Sequence, residues 1–281
     1  MTIFVGIGIV IACVIGGYMM AHGSMGVLFQ PAEFVIIVGA ALGGLVIGTP
    51  TRTLKVIGAS LKAAIKSTSH AQTFLDVLKV IFDLASLVRA EGLLAMEKHV
   101  ENPTKSEILG RLAHHEDLMN FLVDSLRLVL LGTPIEDMME MLEAEFEIRE
   151  HEAEEPGAVV ATVADALPGL GIVAAVLGII ITMNSIGGDS ASVGKHVAAA
   201  LVGTFLGVLL AYGFVSPLAS AIKHERHHAL QLLRVAKAGV VGIARGGNPL
   251  MTCESARHDI PTHDRPSFNA MEEFLKGGKG K

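Results

Sequence analysis

The sharpest chemical pattern is His224-Glu225-Arg226-His227-His228, where two histidines four residues apart share a helix face with a glutamate between them. Zinc peptidases use this HExxH spacing to hold a metal beside a general base. The chain has 12 histidines, so the match can arise by chance. It also sits in a basic flank behind an apolar run, and no further ligand stands at a telling spacing. A membrane zinc metalloprotease is therefore a remote alternative, to be judged by metal bound at His224 and His228. Gly194-Lys195 is followed by His196 and lacks the upstream glycine of a phosphate-binding loop, and no serine occupies a GxSxG elbow. No enzyme activity, no metal and no cofactor are expected.

A second set of residues is notable for its place in apolar stretches. Asp165 opens the third apolar run and Thr182 lies deeper in it, while Thr204, Tyr212 and Ser216 lie in the fourth. Polar groups in a membrane are costly, so they mark function, although a lone Ser or Thr usually bonds back to its own helix. Pro168 and Pro217 fall near corresponding ends of those two runs. Each frees a carbonyl and can kink its helix, useful where helices rearrange around a passing ion and equally a tolerated membrane kink. No run carries a carboxylate near its middle. A proton relay built from this chain alone thus lacks a carrier, and the titrating group has to come from another subunit.

The elements that position these residues follow from composition. Of 281 residues 51% are apolar, and they gather in charge-free runs at Met1–Ala21, Phe34–Thr51, Ala166–Gly188 and Val197–Ile222. About 20 helical residues cross about 30 Å of hydrocarbon, so all four are spans, the second near the short limit. The first has no basic start and no convincing cleavage site, which makes it a retained span rather than a signal peptide. Ser24 to Ala32 holds no Lys or Arg, whereas Arg52, Lys55, Lys62 and Lys66 follow the second run and Lys223, Arg226 and Arg234 the fourth. Both termini and the long middle segment are expected in the cytoplasm, with Gly187 to His196 as a short outer loop. Cys13 in a span and Cys253 in the tail make no disulfide framework, and no basic stripe suits nucleic acid.

The predicted fold is all-α, divided as residues 1–51 (two spans), 52–157 (a helical cytoplasmic domain), 158–222 (two spans) and 223–281 (a cytoplasmic helix and tail). In the middle segment Phe74, Val77, Leu78, Ile81, Phe82, Leu84, Ala85 and Val88 form one helical stripe, and Leu118, Phe121, Leu122, Leu126, Val129 and Leu130 another. Breaks are expected at Asn102-Pro103 and Gly132-Thr133-Pro134. Glu136 to Glu155 holds ten carboxylates against Arg149, a solvated helix with Met138, Met141, Leu142, Phe146 and Ile148 on its inner side or else a partner surface. Gly39 with Gly43, Gly44 with Gly48, and Gly203 with Gly207 are GxxxG pairs suited to close helix approach, within the chain or between copies.

Gly16-Gly17-Tyr18, Gln30-Pro31-Ala32-Glu33, Arg89 through Glu97 to Glu101-Asn102-Pro103, Leu167-Pro168 with Gly171-Ile172-Val173-Ala174-Ala175, Val202 to Pro217, and Arg265-Pro266-Ser267-Phe268 occur in this order. In these segments the chain resembles the MotA family of flagellar motor stator subunits, along nearly its whole length. The resemblance implies a homopentamer in the bacterial inner membrane around a MotB-type dimer, whose single spans bring the ion-binding aspartate. It implies that inward ion flow becomes torque on the rotor protein FliG through Arg89 and Glu97, with Pro168 and Pro217 coupling ion passage to movement. Asp165, Ala175, Thr204 and Tyr212 match positions in or beside the channel-facing helices. Sodium-driven relatives usually carry threonine where this chain has Ala175, so the transported ion is expected to be the proton. Arg89 and Glu97 would share a flank of one continuous helix, about 80° and 12 Å apart. An ExbB or TolQ type of energiser is the nearest alternative, and its usual lack of two amino-terminal spans speaks against it. A purely structural scaffold would show no ion flux.

Overall fold

A computed structural model describes residues 2–66, 70–183 and 190–277, which form helices and no strand. In chain order these are α1 (Thr2–Met20), α2 (Met25–Leu28), α3 (Pro31–Gly48), α4 (Thr51–Lys66), α5 (His70–Glu91), α6 (Glu97–Glu101), α7 (Glu116–Leu130), α8 (Ile135–Met183), α9 (Ser190–Leu210), a π-helical turn at Ala211–Val215, α10 (Ser216–Ala244), α11 (Pro249–His258) and α12 (Phe268–Leu275). Four helical stretches, Ile3–Met20, Met25–Gly48, Ile135–Met183 and His196–Ala244, are long and apolar enough to cross a membrane. Of the loop expected at Gly187 to His196, residues 187–189 lie outside the described residues, while Ser190 to His196 are already helical as the start of α9.

The chain divides into two compact units, Met1–Ser67 with Ala153–Arg226 and Thr68–Glu152 with His227–Lys281. In the first, hereafter the membrane unit, Ile37 and Ala41 of α3 pack with Leu167 and Ala174 of α8 and with Ala211. Three of these five residues are alanines, so the helices approach closely. Ile9, Val46, Ile47, Ile180 and Leu201 on these helices stay exposed. The turn after α1 closes over a glycine: a Cβ on Gly23 would lie 2.3 Å from Tyr18 Cζ, while the Tyr18 hydroxyl donates to Ser24 O at 3.2 Å. That packing accounts for Tyr18 in the segment 16–18.

The second unit has a core of large side chains. Phe74, Leu78, Ile81 and Leu84 of α5 and Phe121, Leu122 and Leu126 of α7 are fully enclosed, as their spacing predicts. The helix ends fall where Pro and Gly place them, with α6 stopping at Glu101 before Asn102-Pro103 and α7 at Leu130 before Gly132 at φ 70°. Of the inner side expected for the acidic helix, Met138, Leu142 and Phe146 are buried, but Met141 and Ile148 are 52% and 63% exposed. The buried row recurs every four residues, and Met141 and Ile148 fall off that row. The acidic run is also partly neutralised from α10: Lys237 pairs with Glu143, and Arg234 lies over the Phe146 ring at 4.8 Å. That pairing holds the Glu143 carboxyl below its ordinary value.

Arg265-Pro266-Ser267 staples the tail. Arg265 donates to Ile260 O at 2.9 Å and His258 O at 2.7 Å, Arg257 donates to Pro266 O at 3.0 Å, and Ser267 Oγ accepts from Ala270 N at 3.2 Å to cap α12. Cys253 is buried with its thiol donating to Leu78 O at 3.4 Å, and burial pushes it up to about 12, so it is an inert core group.

Candidate functional site

The residues expected to act in the membrane gather along a seam between α8 and α9. Gly203 and Gly207 stand one turn apart on α9, opposite Gly171 on α8. A Cβ on Gly171 would come within 2.8 Å of the Gly203 carbonyl oxygen, and one on Gly207 within 2.6 Å of the Leu167 carbonyl oxygen. Backbone therefore meets backbone, which only glycine permits. By contrast, Gly39, Gly43, Gly44 and Gly48 have nothing within 4 Å of a would-be Cβ. Of the three GxxxG pairs, the α9 pair alone packs against other parts of the chain among the described residues.

Thr204 is half-buried beside the seam, its Cα 3.3 Å from the position of a Cβ on Gly171. Ala175 is 8% exposed, and its backbone nitrogen lies 3.1 Å from the position of a Cβ on Gly203. The glycine at 203 lets α9 close over it. Asp165 is exposed, and Tyr212 is 64% exposed. Pro168 is half-buried inside α8, which runs unbroken through it. Pro217 follows the π turn at Ala211–Val215. A proline at 217 leaves the Gly213 carbonyl without its usual donor, and a widened turn is one way a helix absorbs that loss.

One residue of this site escaped the sequence reading. The second apolar run was begun at Phe34, yet α3 starts at Pro31 and carries Glu33 into the packed spans, where it is 7% exposed. A Cβ on Gly203 would lie 2.7 Å from Glu33 Oε2 and one on Gly178 would lie 3.3 Å from Oε1. Oε2 is buried with no hydrogen-bond partner among the described residues. The nearby Thr182 hydroxyl is spent on Gly178 O at 2.8 Å. No run was expected to carry a carboxylate near its middle, and Glu33 stands in the first turn of α3, at the end of its span and not at the middle. Proline after Gln30 signals a helix start, and that signal would have brought Glu33 inside the span.

In the second unit, Arg89 and Glu97 are both exposed. They do not share one continuous helix. α5 ends at Glu91, Gly92 turns at φ 89° with its N–H donating to Val88 O at 2.8 Å, a 3-10 turn spans Leu93–Met96, and α6 begins at Glu97. The glycine is the helix stop, so the 80° and 12 Å relation does not apply. Exposed Leu94 stands on the turn between the two charges. Behind them burial holds His99 below its usual value, with Lys98 adding to the effect. As for the HExxH pattern, His228 packs edge-on against Phe74 at 5.1 Å, and no group of three metal-ligating side chains occurs among the described residues.

Fold and site define a multi-pass helical membrane protein of the channel type, built on two pairs of spans and a separate charged unit. Residues 4–92 match the model of the motility protein A N-terminal region, and 113–234 match that of the MotA/TolQ/ExbB proton channel family. The chain is 35% identical to Motility protein A of Escherichia coli (strain K12) over 284 residues, covering 99% of this chain and 96% of that one. It is 36% identical to Chemotaxis protein LafT of Vibrio parahaemolyticus over 282 residues, covering 99% of each. Its fold is similar to that of the flagellar MotAB stator complex from Bacillus subtilis, with a TM-score of 0.75 at 24% identity, covering 93% of this chain and 96% of that chain. The chain belongs to the motility protein A family, a family of channel-type proteins and not of enzymes.

Proposed function

We propose that this chain is the membrane subunit of a flagellar motor stator, coupling inward proton flow to torque on the rotor. The observation that carries the reading is similarity along the whole chain to Motility protein A at 35% identity. The match of residues 4–92 to the N-terminal region of that family favours it over an ExbB or TolQ energiser. The basic residues behind the second and fourth spans support an orientation with both termini and the second unit in the cytoplasm. Lipid covers the exposed apolar faces of the spans.

A through-path needs a carboxylate facing the centre of an assembly, and Glu33 is enclosed within a single chain. A MotB-type dimer seated in a homopentamer of this chain supplies that group. Thr204, Tyr212 and Ser216 line the approach to the partner helix, with Asp165 at its inner end. Ala175 acts through the seam that it fills, and Pro168 and Pro217 relay the movement. Arg89 and Glu97, exposed on either side of the Gly92 turn, meet charges of FliG.

Exposed ion pairs contribute only about 0 to 1 kcal/mol and weaken with salt, so neutralising either residue should reduce swimming without abolishing it. Reversal should be worse, because like charges then face each other. The test reverses Arg89 or Glu97, then candidate charges on FliG, and scores swimming at unchanged membrane abundance. Recovery in a matched double reversal supports the contact. Normal swimming after joint reversal of Arg89 and Glu97 removes it.

A further inference from the structure

We propose that Glu33 is a second proton-binding site of the stator, supplied by this chain itself at the outer end of the span pair formed by α8 and α9. The inference deepens the proton-conducting reading above and rests on it. A carboxylate among apolar spans is destabilised unless it is paired, and intramembrane acids that persist mark proton or ion pathways. Glu33 has the burial for this and lacks the pairing: Oε2 is enclosed with no hydrogen-bond partner among the described residues. No N–H of the first turn of α3 reaches that oxygen, so helix capping does not account for it.

The surroundings are shaped to the carboxyl group. A Cβ at Gly203 would sit 2.7 Å from Oε2, one at Gly178 would sit 3.3 Å from Oε1, and Ala200 closes the side between them, 3.0 Å from the position of a Cβ on Gly178. Any larger residue at 203 would collide with the acid. The charged or titratable groups on the packed elements are few. α3 carries only Glu33, α8 carries no charged or titratable side chain in its stretch after Asp165, and α9 carries Lys195 and His196 about two turns before Gly203. Thr182 is the nearest hydroxyl on α8 and is committed to its own helix. A bound proton is thus the available means of removing the charge.

Gly203, which meets the acid, is followed directly by Thr204, which points about 100° further round α9 toward the expected channel lining. Glu33 takes a proton from outer water as an O–H bond on its carboxylate. It returns that proton by the same bond to the path that ends on the partner's carboxylate. Only the O–H bond forms and breaks. Glu33 is consequently a site that sets rate and pH response, while the partner's acid remains the obligatory carrier.

The test measures proton uptake into lipid vesicles holding the full chain with its MotB-type partner, as external pH is stepped. In Glu33→Gln, which keeps shape and removes the acid, uptake should fall to less than half of wild type at equal protein content, and its dependence on external pH should flatten. Glu33→Asp should keep a pH-dependent uptake at a shifted midpoint. Uptake and pH profile identical to wild type in Glu33→Gln would overturn the proposal and make Glu33 a packing residue. If Glu33→Gln does not assemble, Glu33→Asp decides, since an unshifted profile overturns the proposal. If wild type conducts no protons, the stator reading itself fails. Infrared spectra of the chain alone then decide for Glu33: a protonated-carboxyl band lost in Glu33→Gln supports proton binding, and an unchanged band refutes it.

Discussion

The membrane unit and the second unit solve the packing problem in opposite ways. Between α8 and α9 the contact is made by Gly171, Gly203 and Gly207, so that backbones touch and there is no room for another methyl. In the second unit the core is filled by Phe74 and Leu78 of α5 and by Phe121 and Leu122 of α7, which occupy space with large side chains. Two polar groups show a parallel difference. Glu33 in the membrane unit is enclosed without a partner, whereas Ser106 in the second unit accepts from Ile108 N and Leu109 N at 3.2 and 3.0 Å and meets His99 Nδ1 at 2.8 Å. Water drives large apolar groups together in the second unit, but lipid offers no such drive, so close backbone approach holds spans together. An unsatisfied acid in such a seam is retained for what it does with protons.

The contrast can be broken by substitutions that run in opposite directions. In the second unit truncation should hurt most. Phe121→Ala is expected to destabilise by about 3 to 5 kcal/mol, read as earlier loss of amide-exchange protection in α5 and α7. In the membrane unit enlargement should hurt. Gly207→Ala must push the Leu167 carbonyl away, at about 1 to 3 kcal/mol, lowering the thermal midpoint in detergent. Gly43→Ala, with open space around it, should leave that midpoint in place. Equal effects at Gly207 and Gly43 would undo the contrast.

The smallest effect is a pH limb in the second unit. The Arg257 hydrogen bond holds the Glu254 carboxyl below its ordinary value. The folded chain therefore binds that proton more weakly than the unfolded chain. The stabilisation is present above the ordinary carboxylate value and is lost as pH falls through the depressed one. Glu254→Gln should flatten that acid limb while leaving Arg257 bound to Pro266 O.

Four spans, the two helical stripes and the proline and glycine stops were legible because each is a local pattern of residue type. Glu33 was not, since a hydropathy run is cut at the first charge while a helix is cut at its cap, and here the two differ by three residues. The break at Gly92 was signalled by the glycine but hidden by the apolar residues that continue past it. Met141 and Ile148 were misplaced because hydrophobic type alone does not fix which face a helix buries. Whether Ala175 is covered depends on glycines some thirty residues away, a relation that no local window contains.

Proton uptake into vesicles tests the central claim most directly, comparing the chain alone, the chain with its MotB-type partner, and the chain with a partner whose membrane carboxylate is changed to the amide. The account predicts uptake only for the intact pair, because Glu33 is enclosed within one chain and the through-path needs the partner's acid. Uptake by the chain alone, or undiminished uptake with the amidated partner, would contradict it.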